Sequence, residues 1–258
     1  MAVRGVLLDI DGVLTVSWEA LPGAVETIQG LRRDGVPFRL ITNTTTHTRA
    51  DLAATLVASG FDVGPEEIVT AVVATGSYLR AHHADARVFV LSDGDASEDL
   101  EGVALVDVDE ADVVVLGGAG DAFTYAAVNR VFRRLAEGAT LVGMHRNLYW
   151  RTAEGWQLDG GAYVAGLEEA TGRAATICGK PSAAYFEEAL RLLGVTAAEA
   201  VMVGDDVVND VLGAQAVGMT GVLVRTGKFL PTDLQRAEGA PDHVLDSIAD
   251  LPAWLASR

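Results

Sequence analysis

The sequence predicts an α/β fold built on a parallel sheet, and three observations predict it. Short apolar runs rich in Val, Leu and Ile alternate with longer segments whose apolar residues recur at helical spacing. Strand followed by helix followed by strand is the order of a crossover unit, which joins parallel strands. Polar clusters close three of the apolar runs: Asp9/Asp11, Thr42/Asn43 and Asp205/Asp206. In open parallel sheets, ligands bind along the edge formed by the carboxyl ends of the strands.

The elements follow in order. Residues 5–10 read as a buried strand that breaks at Asp9 and turns at Asp11-Gly12. Residues 22–33 space Ala24, Ile28 and Leu31 as one face of a helix, with Pro22 suited to its first turn and Gly35 to its exit. A strand over 37–42 runs into Thr42-Asn43-Thr44-Thr45-Thr46, and helical spacing resumes over 49–59. The middle of the chain repeats the alternation, with strands at 87–91 and 112–116, a helix at 122–137, a strand at 140–144 and a helix at 162–171. A strand over 175–178 then leads through Gly179-Lys180-Pro181 to a helix over 183–193. The strand 200–203 stops at Gly204-Asp205-Asp206, and a helix over 207–217 and a strand over 220–224 follow.

Composition bounds the partners. The chain has 258 residues, half of them hydrophobic, with 19 Lys+Arg against 36 Asp+Glu and a formal net charge of −17. Such an acid surplus repels nucleic-acid phosphates and anionic membrane surfaces, so neither is an expected partner. The apolar runs fall far short of the roughly 20 residues that a membrane span needs. The first residues lead directly into Asp9 without the features of a signal peptide, which gives the expectation of a cytoplasmic protein. The single cysteine, Cys178, excludes an intrachain disulfide and a cysteine-rich zinc site, and reads as a small apolar strand residue.

Two carboxylates two residues apart at a strand end, Asp9 and Asp11, can project into one site once the chain bends at Gly12. If the segment from Asp205 to Asp210 shares that edge, the crowded carboxylates repel one another unless a cation lies among them. Hard oxygen donors of this kind fit Mg²⁺. Thr42 and Asn43 can donate hydrogen bonds to phosphate oxygens, and Lys180 can add a fixed positive charge. A carboxylate in such a site can attack phosphorus to give an aspartyl phosphate, hydrolysed in a second step. Plainer readings stand beside these. Asp-x-Asp-Gly is by itself a turn sequence, Thr42 and Asn43 can cap the next helix, and Lys180 can be a solvated surface lysine. Asp205 and Asp206 can be helix N-caps, and Asp210 can sit in a first helical turn where negative charge is favoured.

Taken together, Asp9-Ile10-Asp11-Gly12-Val13-Leu14, Leu40-Ile41-Thr42-Asn43, Gly179-Lys180-Pro181 and Gly204-Asp205-Asp206 through Asp210 resemble the four motifs of the haloacid dehalogenase superfamily of phosphatases. Lys180 follows Asn43 by 137 positions, which leaves room for a cap inserted after the second motif. That placement resembles the subgroup with the N-acetylglucosamine-operon phosphatase and pyridoxal phosphatase. Gly213-Ala214-Gln215 and Arg225-Thr226-Gly227-Lys228 resemble its phospholysine phosphohistidine inorganic pyrophosphate phosphatase branch.

The resemblance implies a Rossmann-like core with a parallel sheet, residues 1–76 and 175–258, and an inserted α/β cap of the C2 type, residues 77–174. It implies a Mg²⁺-dependent phosphatase for a small phosphorylated metabolite, with Asp9 as nucleophile and metal ligand. Asp11 would be general acid/base and would offer its backbone carbonyl to Mg²⁺, and Asp205 would bind the metal directly. Asp206 and Asp210 would support the site from behind, Thr42 and Asn43 would hold the phosphoryl oxygens, and Lys180 would neutralise Asp9 and the phosphate. Within the cap, the segment 144–151 mixes cationic and aromatic side chains. His145 and Arg146 could contact an anionic leaving group while Tyr149 and Trp150 pack on a ring, or the segment could be an amphipathic hairpin covering the cap's own core. A homodimer through the cap is a further expectation. The alternatives to hydrolysis are a catalytically idle metabolite-binding module and a mutase that passes the phosphoryl group to a second hydroxyl.

Overall fold

A computed structural model describes residues 3–95, 98–152 and 155–258. The chain divides into two compact units: Met1–Thr42, Arg49–Val69 and Lys180–Arg258 form the first, and Asn43–Thr48 and Thr70–Gly179 form the second. The expected boundaries at 76/77 and 174/175 both fall inside the second unit, the former within the helix Ala71–His82.

The first unit carries a six-stranded sheet in the order His243–Leu245, Thr220–Val224, Ala200–Gly204, Gly5–Asp9, Phe38–Thr42, Ile68–Thr70. The first five strands pair in parallel. Gly5–Asp9 is central and buried along its whole length, which is why it reads as an uninterrupted apolar run. Leu8 stands beside Val203 on one side and Leu40 on the other, and Asp9 beside Ile41, so the strands on either side end level with it. Val6, Leu8, Ile28, Leu40, Leu52 and Leu56 are buried together between sheet and helices. Among the described residues, no helix is long and apolar enough to cross a membrane.

The second unit has its own five-stranded parallel sheet, in the order Thr176–Ile177, Thr140–Gly143, Val113–Leu116, Arg87–Leu91, Ala104–Leu105. Its core gathers Leu116, Val131, Leu135, Leu141 and Val164. An antiparallel hairpin, Tyr149–Thr152 with Gly155–Leu158, completes it.

Local differences from expectation have physical causes. The helix expected from residue 22 begins at Ala24, because Gly23 takes a left-handed conformation as its N-cap and leaves Pro22 outside. The helix expected over 207–217 is instead a π-helical turn, Val207–Leu212, followed by the short α-helix Gly213–Ala216. The Asp206 carbonyl receives N–H groups from both Asp210 (3.1 Å) and Val211 (3.2 Å), which widens the turn. The helix Ala71–His82 escapes the periodicity reading because Ala71 through Gly76 are buried consecutively, leaving no polar face to mark a 3.6-residue stripe. Cys178 lies just past its strand and is buried, and burial pushes its thiol up to about 12.

Candidate active site

The first unit brings Asp9, Thr42, Lys180, Asp205 and Asp210 to the carboxyl edge of its sheet. Asp9, Lys180, Asp205 and Asp210 are each at most 5% exposed, an uncommon fate for charged side chains unless they are paired. Lys180 supplies the pairing. Its Nζ lies 2.6 Å from Asp9 Oδ1 and 2.7 Å from Asp210 Oδ1, so one ammonium serves two carboxylates. Burial works against the charge on Lys180, but Asp210 and Asp9 outweigh it and hold its pKa above the ordinary lysine value.

The carboxylates outnumber the cations, and their titration reflects it. Burial, reinforced by Asp9, raises Asp205 to about 7 even though Lys228 opposes the shift. Burial and Asp9 likewise raise Asp210 to about 6, against the pull of Lys180. Asp11 stands exposed at the rim. Desolvation by the surrounding protein raises its pKa, with Lys180 and Lys228 opposing.

Three carboxylates, from Asp9, Asp205 and Asp210, each place an oxygen within 4.8 Å of the others. Asp205 Oδ1 is buried and has no hydrogen-bond partner among the described residues. A buried carboxylate whose Oδ1 lacks a hydrogen bond, with only the Lys228 ammonium 4.0 Å away, and which lies beside two further carboxylates, is a poor arrangement for protein alone and a good one for a hard cation. The donor set therefore fits Mg²⁺.

Asp206 has a different task. Its Oδ1 accepts the N–H groups of Val208 and Asn209, both at 2.9 Å, so the N-cap reading applies to this residue. Burial disfavours its ionised form, but Lys228 and Asn209 prevail and hold its pKa below the ordinary value. Its own N–H donates to Asp210 Oδ2 at 3.2 Å, which ties the two ends of the turn together. Thr42 ends its strand with the segment 43–48 still to come before the helix Arg49–Ala58, too far to cap it.

Lys228 was not singled out by its sequence as a site residue, although it stands in the quoted Arg225-Thr226-Gly227-Lys228 motif. Its backbone N–H donates to Asp205 Oδ2 at 2.7 Å, and its Nζ lies 3.2 Å from Asp206 Oδ2. The approach depends on two glycines. Gly12 (φ +88°) and Gly227 (φ +64°) each pass so close to Asp205 that an added Cβ would stand 2.2 Å from its Oδ2.

The other expected residues belong to the second unit. Asn43 lies against Gly179 there, its Oδ1 2.7 Å from where a Cβ of that glycine would stand. His145 is buried, and burial lowers its pKa against the pull of Asp159, whose Oδ1 is 3.7 Å from Nε2. Nδ1 accepts the Asn147 N–H at 3.2 Å, which leaves the ring proton on Nε2. Arg146 is bidentate to Glu168. Tyr149 and Trp150 lie on the antiparallel hairpin and are exposed, and the side chain of Arg151 lies outside the described residues.

Comparison with known proteins agrees with this geometry. A haloacid dehalogenase-like hydrolase profile matches residues 6–105, which hold Asp9, Asp11, Thr42 and Asn43. A second, HAD-hydrolase-like profile matches residues 177–251, which hold Lys180 and the segment from Asp205 to Asp210. Human haloacid dehalogenase-like hydrolase domain-containing protein 2 is 39% identical over 96% of this chain and 98% of its own. The chain belongs to the haloacid dehalogenase-like hydrolases. Human phospholysine phosphohistidine inorganic pyrophosphate phosphatase is 38% identical over 96% of this chain and 92% of its own. Among solved structures of the family, the p-nitrophenyl phosphatase from Archaeoglobus fulgidus matches all of both chains at 28% identity with a TM-score of 0.92. NagD from E. coli K-12 matches 97% of this chain and 98% of its own at 28% identity and 0.89. The fold is accordingly that of a haloacid dehalogenase-like hydrolase with core and inserted cap.

Proposed function

We propose that the protein is a Mg²⁺-dependent phosphatase that hydrolyses a small phosphorylated metabolite through an aspartyl phosphate on Asp9. The observation that carries this reading is the buried Asp9–Lys180 contact at 2.6 Å, set beside a carboxylate cluster with an orphaned oxygen. Asp9 and Asp205, with the backbone carbonyl of Asp11, would hold the cation, which supplies charge to a transferring phosphoryl group when bound.

The chain's own groups divide the rest of the chemistry. Lys180 holds the Asp9 carboxylate in place through their buried contact at 2.6 Å. An Asp9 carboxylate oxygen attacks phosphorus as the bond to the leaving oxygen breaks, and Asp11, at the solvent-facing rim, delivers a proton to that oxygen. Asp11 then takes a proton from water, whose oxygen attacks phosphorus. The bond to Asp9 breaks, and phosphate leaves with the carboxylate regenerated. Thr42 and Asn43 hold phosphoryl oxygens in this proposal. Asp210 orients Lys180 and the turn that carries Asp206. Lys228 sets the position of Asp205. His145 and Arg146 would act on the leaving group.

Relatives named for p-nitrophenyl phosphate and for inorganic pyrophosphate support a phosphoric ester or anhydride as substrate. The acidic composition and lone cysteine support a cytoplasmic setting. The exposed Tyr149, Trp150 and Trp156 support a homodimer through the inserted unit, which sedimentation would test.

The decisive experiment is Asp9→Asn assayed on p-nitrophenyl phosphate with millimolar Mg²⁺. The expected outcome is a folded protein with activity lowered at least about a thousandfold, as removal of an attacking group does. An undiminished rate removes the nucleophile assignment. Recovery of free phosphate, with no phosphorylated acceptor, separates hydrolysis from mutase chemistry.

A further inference from the structure

Tyr185 is fully buried, yet its hydroxyl ends among polar backbone groups. Tyr185 Oη accepts the Thr42 N–H at 2.9 Å and faces two carbonyl oxygens, Val69 at 2.6 Å and Thr42 at 3.0 Å. A phenol carries one proton, so the two carbonyls share it, with the larger part going to the shorter contact. Burial raises the phenol's pKa, against the pull of Lys180, and keeps that proton on the ring oxygen.

The location of these contacts matters. The first unit gives up the chain twice, after Thr42 and after Val69, and receives it again at Arg49 and, for the last time, at Lys180. One hydroxyl thus ties Thr42, the last residue of its strand, to Val69, the middle residue of the neighbouring strand Ile68–Thr70, at the two points of exit. Its own residue sits in the first turn of the helix Ala183–Leu193, five residues beyond Lys180. Ser182 caps that helix by accepting the Tyr185 N–H at 3.3 Å, which fixes the ring's starting point. A phenylalanine would fill the same apolar space. The hydroxyl is therefore redundant for packing, and its three polar contacts all concern these two strands.

We propose that Tyr185 is a positioning residue that holds Thr42 where its hydroxyl meets the phosphoryl group. This inference rests on the phosphoryl-binding role proposed above for Thr42. It assigns no chemistry to Tyr185 itself, which acts only through the backbone of Thr42.

The test is Tyr185→Phe, assayed with p-nitrophenyl phosphate and MgCl₂ and with inorganic phosphate as inhibitor. The expected result is a three- to tenfold rise, roughly, in both KM and the inhibition constant for phosphate, the range that loss of one net hydrogen bond produces. kcat should fall by less, and Mg²⁺ affinity measured by calorimetry should not change, because no carboxylate is touched. Introduced into Thr42→Val, the same substitution should add less than about a twofold change, since both act on one contact. An unaltered phosphate inhibition constant, or a full additional effect in Thr42→Val, overturns the proposal. Amide hydrogen exchange on the wild-type protein covers the case in which Tyr185→Phe does not fold. The Thr42 amide should be protected, and exchange at the rate of a free amide also overturns the proposal. A wild-type protein inactive toward p-nitrophenyl phosphate would instead defeat the phosphatase reading, leaving the amide experiment to judge the clamp.

Discussion

Each unit of the molecule carries a cluster of charged and titratable groups, and the two are put together differently. In the first, one buried ammonium, Lys180, faces two buried carboxylates, a third carboxylate lies within 4.8 Å, and one oxygen of Asp205 has no hydrogen-bond partner among the described residues. In the second, the valences close among protein groups. Arg146 is bidentate to Glu168, which also accepts the Ala175 N–H at 2.8 Å. Asp159 accepts N–H groups from Gly160 (2.7 Å) and Ala119 (3.2 Å), and the buried His145 beside it favours its neutral form. A cluster with excess buried charge of one sign is held short of electrostatic completion, and something from outside completes it. A cluster whose donors and acceptors are matched holds the fold. Counting partners separates the two more reliably than the residue types do, since both contain histidine-, arginine- or lysine-to-carboxylate pairs.

The sharpest way to break the comparison is to remove the cation of each cluster. Lys180→Met leaves Asp9 and Asp210 buried without their counterion, and the expected loss of stability in urea denaturation is about 3–5 kcal/mol. Adding Asp210→Asn should restore part of it, because one of the stranded charges is then gone. A Lys180→Met protein as stable as wild type would show that the cluster is hydrated, and the contrast would fall.

A smaller effect follows from the raised carboxylates. With Asp205 near 7 and Asp210 near 6, protons compete with a cation below neutrality. The sign is fixed by the direction of the shift: below these values the groups hold protons, which Asp205 must release to bind the metal and Asp210 must release to pair fully with Lys180. The rise in melting temperature caused by a fixed millimolar Mg²⁺ should be large at pH 8 and shrink as pH falls through 7 to 5.5. A shift independent of pH across that range would contradict the carboxylate assignment.

Gly227→Ala should act on the same readout without altering any charge. Its Cβ would stand 2.2 Å from Asp205 Oδ2 at a positive φ, so Asp205 must move. Roughly a tenfold or greater loss of Mg²⁺ affinity by calorimetry is expected, by analogy with the loss of other groups that orient ligands. Affinity equal to wild type would mean that Asp205 is not held by this loop.

The smallest effect belongs to the second cluster. Arg146 is nearly half exposed, and an exposed ion pair contributes at most about 1 kcal/mol. Arg146→Met should therefore change urea stability by no more than that. A change in KM without a change in stability would give Arg146 the substrate contact proposed for it.

Much of this protein was legible in its sequence for a simple reason. Strands buried on both faces must be apolar throughout, so polar residues at their ends, such as Asp9, Thr42 and Asp205, stand out wherever the chain leaves the sheet. Chain order and residue type sufficed to identify the α/β class and to nominate Asp9, Asp11, Lys180 and Asp205. Other features depend on contacts between residues far apart in the chain, which no local pattern records. Lys228 looks like a surface lysine until the strand Thr220–Val224 delivers its loop beside Asp205. Tyr185 reads as one more apolar position in a helix, and only tertiary packing aims its hydroxyl at Thr42 and Val69. The helix Ala71–His82 is buried over most of its first two turns, so it lacked the polar stripe that periodicity needs. Sequence determined which residues carry charge at the strand ends. The tertiary structure decided which of those charges are matched and which are left in excess, because burial and distance, not residue identity, set the energy of a charge.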